Sequence, residues 1–122
     1  MRRSEFEAVV LKALEELPAP FREALQNIDI QVRWRPTLGE LRRSRVRRGH
    51  TLFGLYLGVP LTKRSHHHSM TLPDTIVIYQ QAHERYCRDE AQMVEQARQT
   101  LLHEIGHYMG IEEDRLRELG VG

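Results

Sequence analysis

The hydrophobic pattern of the chain runs from helical spacing to a period of two and back. Phe6, Val9, Val10, Ala13, Leu14 and Leu17 recur at helical spacing, behind a capping-box signature of Ser4 and Glu7, and predict an N-terminal helix. Pro18 and Pro20 end it, and residues 21–26 predict a second short helical turn. The period then becomes two. In residues 28–34, Ile28, Ile30, Val32 and Trp34 alternate with Asp29, Gln31 and Arg33, which predicts a strand with one buried face. Residues 51–59 are a second strand candidate around Gly54, and the apolar run Thr75-Ile76-Val77-Ile78-Tyr79 is the clearest strand. The Pro- and Arg-rich stretch at 36–50, and residues 60–73, read as long loops between them.

Asp89 and Gln92 form a second capping signature, and a long helix follows. Val94, Ala97, Leu101, Ile105 and Tyr108 form its apolar stripe, widened by Met93 and Leu102. Gly110 interrupts the pattern, and residues 111–119 predict a final short helix stopped by Gly120. The fold class that follows is α+β: an N-terminal helix, a small sheet of at least three strands, a long helix and a short C-terminal one. With 122 residues, the whole chain, 1–122, suits one domain.

Composition narrows the class without choosing a function. No apolar run is long enough to span a bilayer, and Glu5, Glu7 and Lys12 break the N-terminus as a signal peptide. Cys87, the only cysteine, excludes an intrachain disulfide and fits a reducing cytoplasm. The net charge of +1 argues against a globally basic nucleic-acid coat, but the charges are segregated. From Arg33 to Arg64 there are nine Arg or Lys residues and a single acid, Glu40, whereas the rest of the chain is acidic. Arg42, Arg43, Arg45, Arg47 and Arg48 form the densest part. A solvated or acid-paired surface is the plain reading of this cluster, and a patch for an acidic partner the sharper one. No aromatics are interleaved with it, so base stacking is not indicated.

The long helix carries His103-Glu104-Ile105-Gly106-His107, an HExxH motif. Residues four apart on a helix lie about 40° apart around its axis, so both imidazoles point to one side and can share a metal. Zinc in a catalytic site takes such nitrogen ligands and keeps one position for water. Glu104, beside the pair, is placed to accept a proton from water activated by the metal. A residue six positions past His107 on the same helix would rise about 9 Å, too far to share the ion. The chain must turn, and Gly110 permits a left-handed cap. Three residues later stands Glu113, the expected third ligand, with Asp114 as its nearest rival.

The segments HEIGHYMGIEEDRLRELG and LPDTIVIYQ resemble the small bacterial zincin-like metallopeptidases, the "minimal zincin" family, over roughly residues 57–120. The family pattern HExxHxxGxx followed by a carboxylate falls on His103, Glu104, His107, Gly110 and Glu113, with Glu where Asp is frequent. The resemblance implies a zincin-like domain with one Zn²⁺, bound by His103, His107 and Glu113, and hydrolysis of peptide bonds with Glu104 as base and then acid. It also implies that a sheet-edge strand lies beside the cleft and pairs with an extended peptide, for which residues 75–79 are the candidate. Tyr79 or His83 could then reach a developing oxyanion, although packing roles suit both better. Tyr108 reads as core, and His66, His67 and His68 as a solvated loop. Two other readings stay open: a metal-dependent endoribonuclease of the rRNA-maturation type, which shares the ligand spacing but lacks the glutamate after the first histidine, and a non-catalytic zincin-like interaction domain.

Overall fold

Two amphipathic helices and the middle of a small sheet supply most of the core. The computed structural model describes residues 1–44, 51–63, 74–111 and 113–118. Helix α1 (Arg3–Glu15) buries Phe6, Val9, Val10 and Ala13 along the stripe read from the sequence. It starts two residues earlier than the Ser4–Glu7 box implies, with Arg2 as N-cap in place of Ser4. The Arg2 amide donates to the Glu5 carboxylate at 3.2 Å, and Glu7 pairs instead with Arg3. Helix α2 (Ala19–Ala24) opens on Pro18 with Pro20 in its first turn, where a missing N–H costs nothing. A 3-10 turn (Leu25–Asn27) leads into β1.

Strands β1 (Ile28–Arg33), β2 (Gly54–Leu57) and β3 (Asp74–Tyr79) form a sheet in the order β1-β3-β2. β1 runs parallel to β3, with Ile30 opposite Ile76, and β2 runs antiparallel to it, with Leu55 opposite Val77. Residues 75–79 therefore have a neighbour on each side. They are not an edge strand and cannot pair with a substrate, contrary to the expectation from sequence. The physical reason stands in the sequence itself. A strand buried on both faces reads as a continuous apolar run, and Ile76, Val77, Ile78 and Tyr79 are all fully buried. Among the described residues, the outer strands of this sheet are β1 and β2. Trp34, expected on the buried face of the first strand, lies past its end and is 52% exposed.

Helix α5 (Glu90–Tyr108) lies across one face of the sheet beside α1. Its stripe of Met93, Val94, Ala97, Leu101, Leu102, Ile105 and Tyr108 packs with Phe6, Val9, Val10, Ile76 and Ile78 in one core. Leu55, Val77 and Tyr79 form a smaller cluster on the opposite face. Helix α6 (Glu113–Glu118) folds back so that Leu116, 1% exposed, sits against Gly106 of α5. No helix among the described residues is long and apolar enough to cross a membrane.

Two helices interrupt stretches that periodicity leaves unassigned. Helix α3 (Leu38–Ser44) occupies part of the predicted Arg-rich loop, and α4 (Gln80–Tyr86) continues directly from β3. α3 has a capping box of its own. The Glu40 amide donates to Thr37 Oγ1 and the Thr37 amide to Glu40 Oε1, each at 3.1 Å. The same carboxylate, nearly buried, accepts from Arg33 Nη1 at 2.6 Å and from the Tyr79 hydroxyl at 2.9 Å. Burial first, and then the Glu40 charge, hold the Tyr79 phenol well above its ordinary pKa, so it stays a donor. One side chain thus joins the start of α3 to the ends of β1 and β3. Glu40→Leu is expected to lower the unfolding free energy by about 2–4 kcal/mol, because a helix cap and the partner of a buried hydroxyl disappear together. Glu40→Gln, which keeps an acceptor, should lose less. Urea unfolding checks this, and equal midpoints for wild type and Glu40→Leu would contradict it.

Candidate metal centre

The site begins with the register of α5. Asp89 Oδ1 accepts the Gln92 amide at 2.8 Å, and Gln92 Oε1 accepts the Arg88 amide at 2.7 Å, so the helix starts where the sequence places it. From that start the helical repeat brings His103 and His107 to one side. Their ring centroids lie 4.6 Å apart at an interplanar angle of 52°. Both rings are half-buried, whereas Glu104 between them is only 5% exposed. Its carboxylate Oε2 lies 3.7 Å from His103 Nε2 and its Oε1 3.8 Å from His107 Nδ1, too long for hydrogen bonds. Potential ligand atoms of the three residues all fall within 4.8 Å of one another.

What anchors Glu104 comes from the sheet. The Tyr79 amide donates to the Phe53 carbonyl at 2.9 Å, which turns the backbone groups of residues 53, 55 and 57 toward β3. The backbone groups of Gly54 and Tyr56 therefore face away from β3, on the outer side of β2. The outward amide of Tyr56 donates to Glu104 Oε1 at 2.7 Å. α5 approaches this strand closely: a Cβ on Gly54 would lie 2.5 Å from Thr100 Cγ2 and 2.9 Å from the Val77 carbonyl oxygen. Between residues 51–54 and the face of α5 carrying Gln96, Thr100 and His103 runs a cleft of ≈ 330 Å³ that ends at Glu104. Sequence reasoning missed this strand edge as part of the site. A glycine inside an apolar strand run was the available signal.

Past His107 the helix ends as predicted. Gly110 has φ +84°, its amide donates to the His107 carbonyl at 3.0 Å, and the Ile111 amide reaches the Gly106 carbonyl at 2.8 Å. This is a Schellman cap, with the positive φ that favours glycine. Three residues beyond Gly110, Glu113 opens α6, but its side chain lies outside the described residues. Asp114 is exposed. The structure thus brings together His103, Glu104 and His107 of the expected set. Residues 45–48 and the histidine triplet, residues 66–68, lie outside the described residues.

Tyr79 and His83 do not reach the cleft. Both are fully buried, and the Tyr79 hydroxyl is spent on Glu40. His83 Nδ1 donates to the Tyr79 carbonyl at 2.8 Å, and its ring packs between Phe6 and Phe53 at centroid distances of 5.1 and 5.2 Å. Neither can meet an oxyanion there. Tyr108 is core, as expected, edge-on to Tyr56 at 5.8 Å.

A family model of zincin-like metallopeptidases matches residues 25–122. The chain belongs to this family. α1 precedes the matched region, yet it closes the core on which α5 rests. No curated protein matches the chain. Among solved structures it is similar to a conserved hypothetical protein from Thermo thermophilus, with 21% identity, a TM-score of 0.54, and coverage of 98% of this chain and 97% of that one. At this identity the likeness shows the fold. A metal belongs to the chemistry of a zincin-like family, and the donor set fits one: two imidazoles converge beside a buried carboxylate, with no Lys or Arg among them.

The buried His83 makes stability depend on pH. Burial lowers its pKa below the ordinary 6.5, outweighing the bond to the Tyr79 carbonyl. The unfolded chain then binds more protons than the folded one at acid pH, so stability is lost as pH falls below about 6.5. His83→Leu should show a flatter unfolding free energy between about pH 6.5 and 5 in parallel urea titrations. An unchanged slope would contradict the assignment.

Proposed function

We propose that the protein is a zinc-dependent metallopeptidase that hydrolyses extended peptide segments. The observation that carries this reading is the buried Glu104 carboxylate, held by the Tyr56 amide between two imidazoles on the outer side of β2. His103 and His107 would hold the ion, with Glu113 as third ligand from its spacing past Gly110. When bound, zinc supplies Lewis acidity that activates water and polarises a carbonyl. Glu104 removes the proton from the water that adds to the scissile carbonyl carbon. It then delivers that proton to the amine as the C–N bond breaks. Its bond to Tyr56 leaves it oriented through both transfers. Gly54 offers the substrate an outward amide and carbonyl, so a peptide laid along β2 extends the sheet toward Glu104. The lone Cys87 and the absence of a spanning helix among the described residues suit a cytoplasmic location.

An endoribonuclease reading has one observation in its favour: Arg42 and Arg43 are exposed on α3. The glutamate beside the first histidine counts against it. The same glutamate counts against a purely non-catalytic domain, which has no use for a buried base next to a cleft. Glu104→Gln is expected to keep zinc while cutting hydrolysis of an unfolded protein by at least about 10²–10⁴-fold. Metal analysis and a proteolysis assay on one preparation check both halves. Surviving hydrolysis would refute the proposed base, and RNA cleavage lost with Arg42→Glu and Arg43→Glu would favour the nuclease.

A further inference from the structure

Thr51 and Leu52, which form one wall of the metal cleft, also line a second cavity of ≈ 170 Å³. Its other walls come from the turn after β1, with Trp34 and Arg35, and from α4, with Arg85 and Tyr86. These walls are fixed to one another. The Gln81 amide of α4 donates to the Trp34 carbonyl at 2.9 Å. Tyr86 also meets Phe53, a wall of the metal cleft, edge-on at 6.0 Å.

The charge in this cavity is one-sided. Among the described residues no acid lines it, and neither Arg35 nor Arg85 makes an ion pair with any of them. Arg33, only two residues from Arg35, is by contrast matched to Glu40 at 2.6 Å. Apolar side chains of Leu41 and Leu52 complete the lining. Two exposed arginines without an ion-pair partner among the described residues, lining one cavity with Leu41 and Leu52, suit a short side chain that ends in a carboxylate. The volume is well under the roughly 300–1,000 Å³ of sites for drug-sized ligands, so it fits one side chain better than a nucleotide.

We propose that this cavity is a specificity pocket of the metal cleft that takes an aspartate or glutamate side chain of the substrate peptide through Arg35 and Arg85. The proposal rests on the peptidase reading of the cleft. Leu52 precedes Tyr56, whose amide holds Glu104, by four residues, or about 13 Å of extended chain at ~3.3 Å per residue. The acidic residue therefore lies about four residues from the scissile bond. The pocket makes this a peptidase for acidic segments.

Trp34 is the only tryptophan and stands in the pocket wall, so its fluorescence reads occupancy without any turnover. The full-length Glu104→Gln protein is titrated with a series of unstructured peptides in which one Glu is moved along a neutral Gln/Ala background. A Glu peptide should saturate the signal about tenfold more tightly than its all-Gln counterpart. Arg35→Glu and Arg85→Glu should each abolish that preference. Arg42→Glu, exposed and outside the cavity, should keep it. Equal affinity for Glu and Gln peptides overturns the proposal. So does tighter saturation by single-stranded RNA that the same two substitutions remove. If the preference holds while zinc-loaded wild type cleaves neither peptide, the pocket stands as an acidic-peptide site and the peptidase reading falls. If wild type cleaves both equally well, the pocket assignment falls and the peptidase reading stands.

Discussion

The hydrogen bond from the Tyr56 amide to Glu104 holds the site to the sheet. A carboxylate taken out of water is costly unless its lone pairs meet donors, and this one is 5% exposed at the end of the core-facing helix. The donor exists because of strand parity. β2 pairs with β3 through residues 53, 55 and 57, and this leaves the Tyr56 amide on the outer side of the strand, pointing at α5. A slip of one residue in that pairing would turn the amide inward and strand the carboxylate. The sheet register and the HExxH motif are therefore one constraint seen from two elements.

Closeness follows from the same requirement. The α5–β2 approach is short enough that Gly54 has no room for a side chain against Thr100 and the Val77 carbonyl. At the other end, the positive φ of Gly110 stops α5 directly after His107, and Leu116 returns α6 onto Gly106. The residues after the turn are thereby brought back to the end of the helix that carries both imidazoles. Residues 51–52, which border the cleft beside His103 and Glu104, also border the arginine-lined cavity, so the two share a wall.

Much of this is legible in sequence wherever one face of one element carries the signal. The stripes of α1 and α5, the Asp89 cap, the Gly110 turn and the shared face of His103 and His107 are local patterns, and the structure has them. Strand order is not local. The run Ile76 to Tyr79 advertises burial on both faces, which means a central strand, whereas the family resemblance implies an edge strand beside the cleft. α3 carries a legible Thr37–Glu40 box, but Leu38 is 72% exposed and Gly39 follows it, so no apolar stripe draws attention to it. α4 is seven residues long and buries the polar Gln80 and His83, which periodicity counts as solvent-facing. The Tyr56–Glu104 bond spans 48 positions, and no spacing rule reaches that far.

The claim on which the functional reading rests is that His103 and His107 hold one metal ion. The most direct measurement is zinc titration of metal-free protein, with X-ray absorption at the zinc edge on the loaded sample and on His103→Ala and His107→Ala. The expected result is one zinc per chain with two imidazole nitrogens at about 2.0–2.1 Å, and loss of tight binding in either variant. Zinc that binds both variants as tightly as wild type, or no stoichiometric zinc in any of the three, would contradict it.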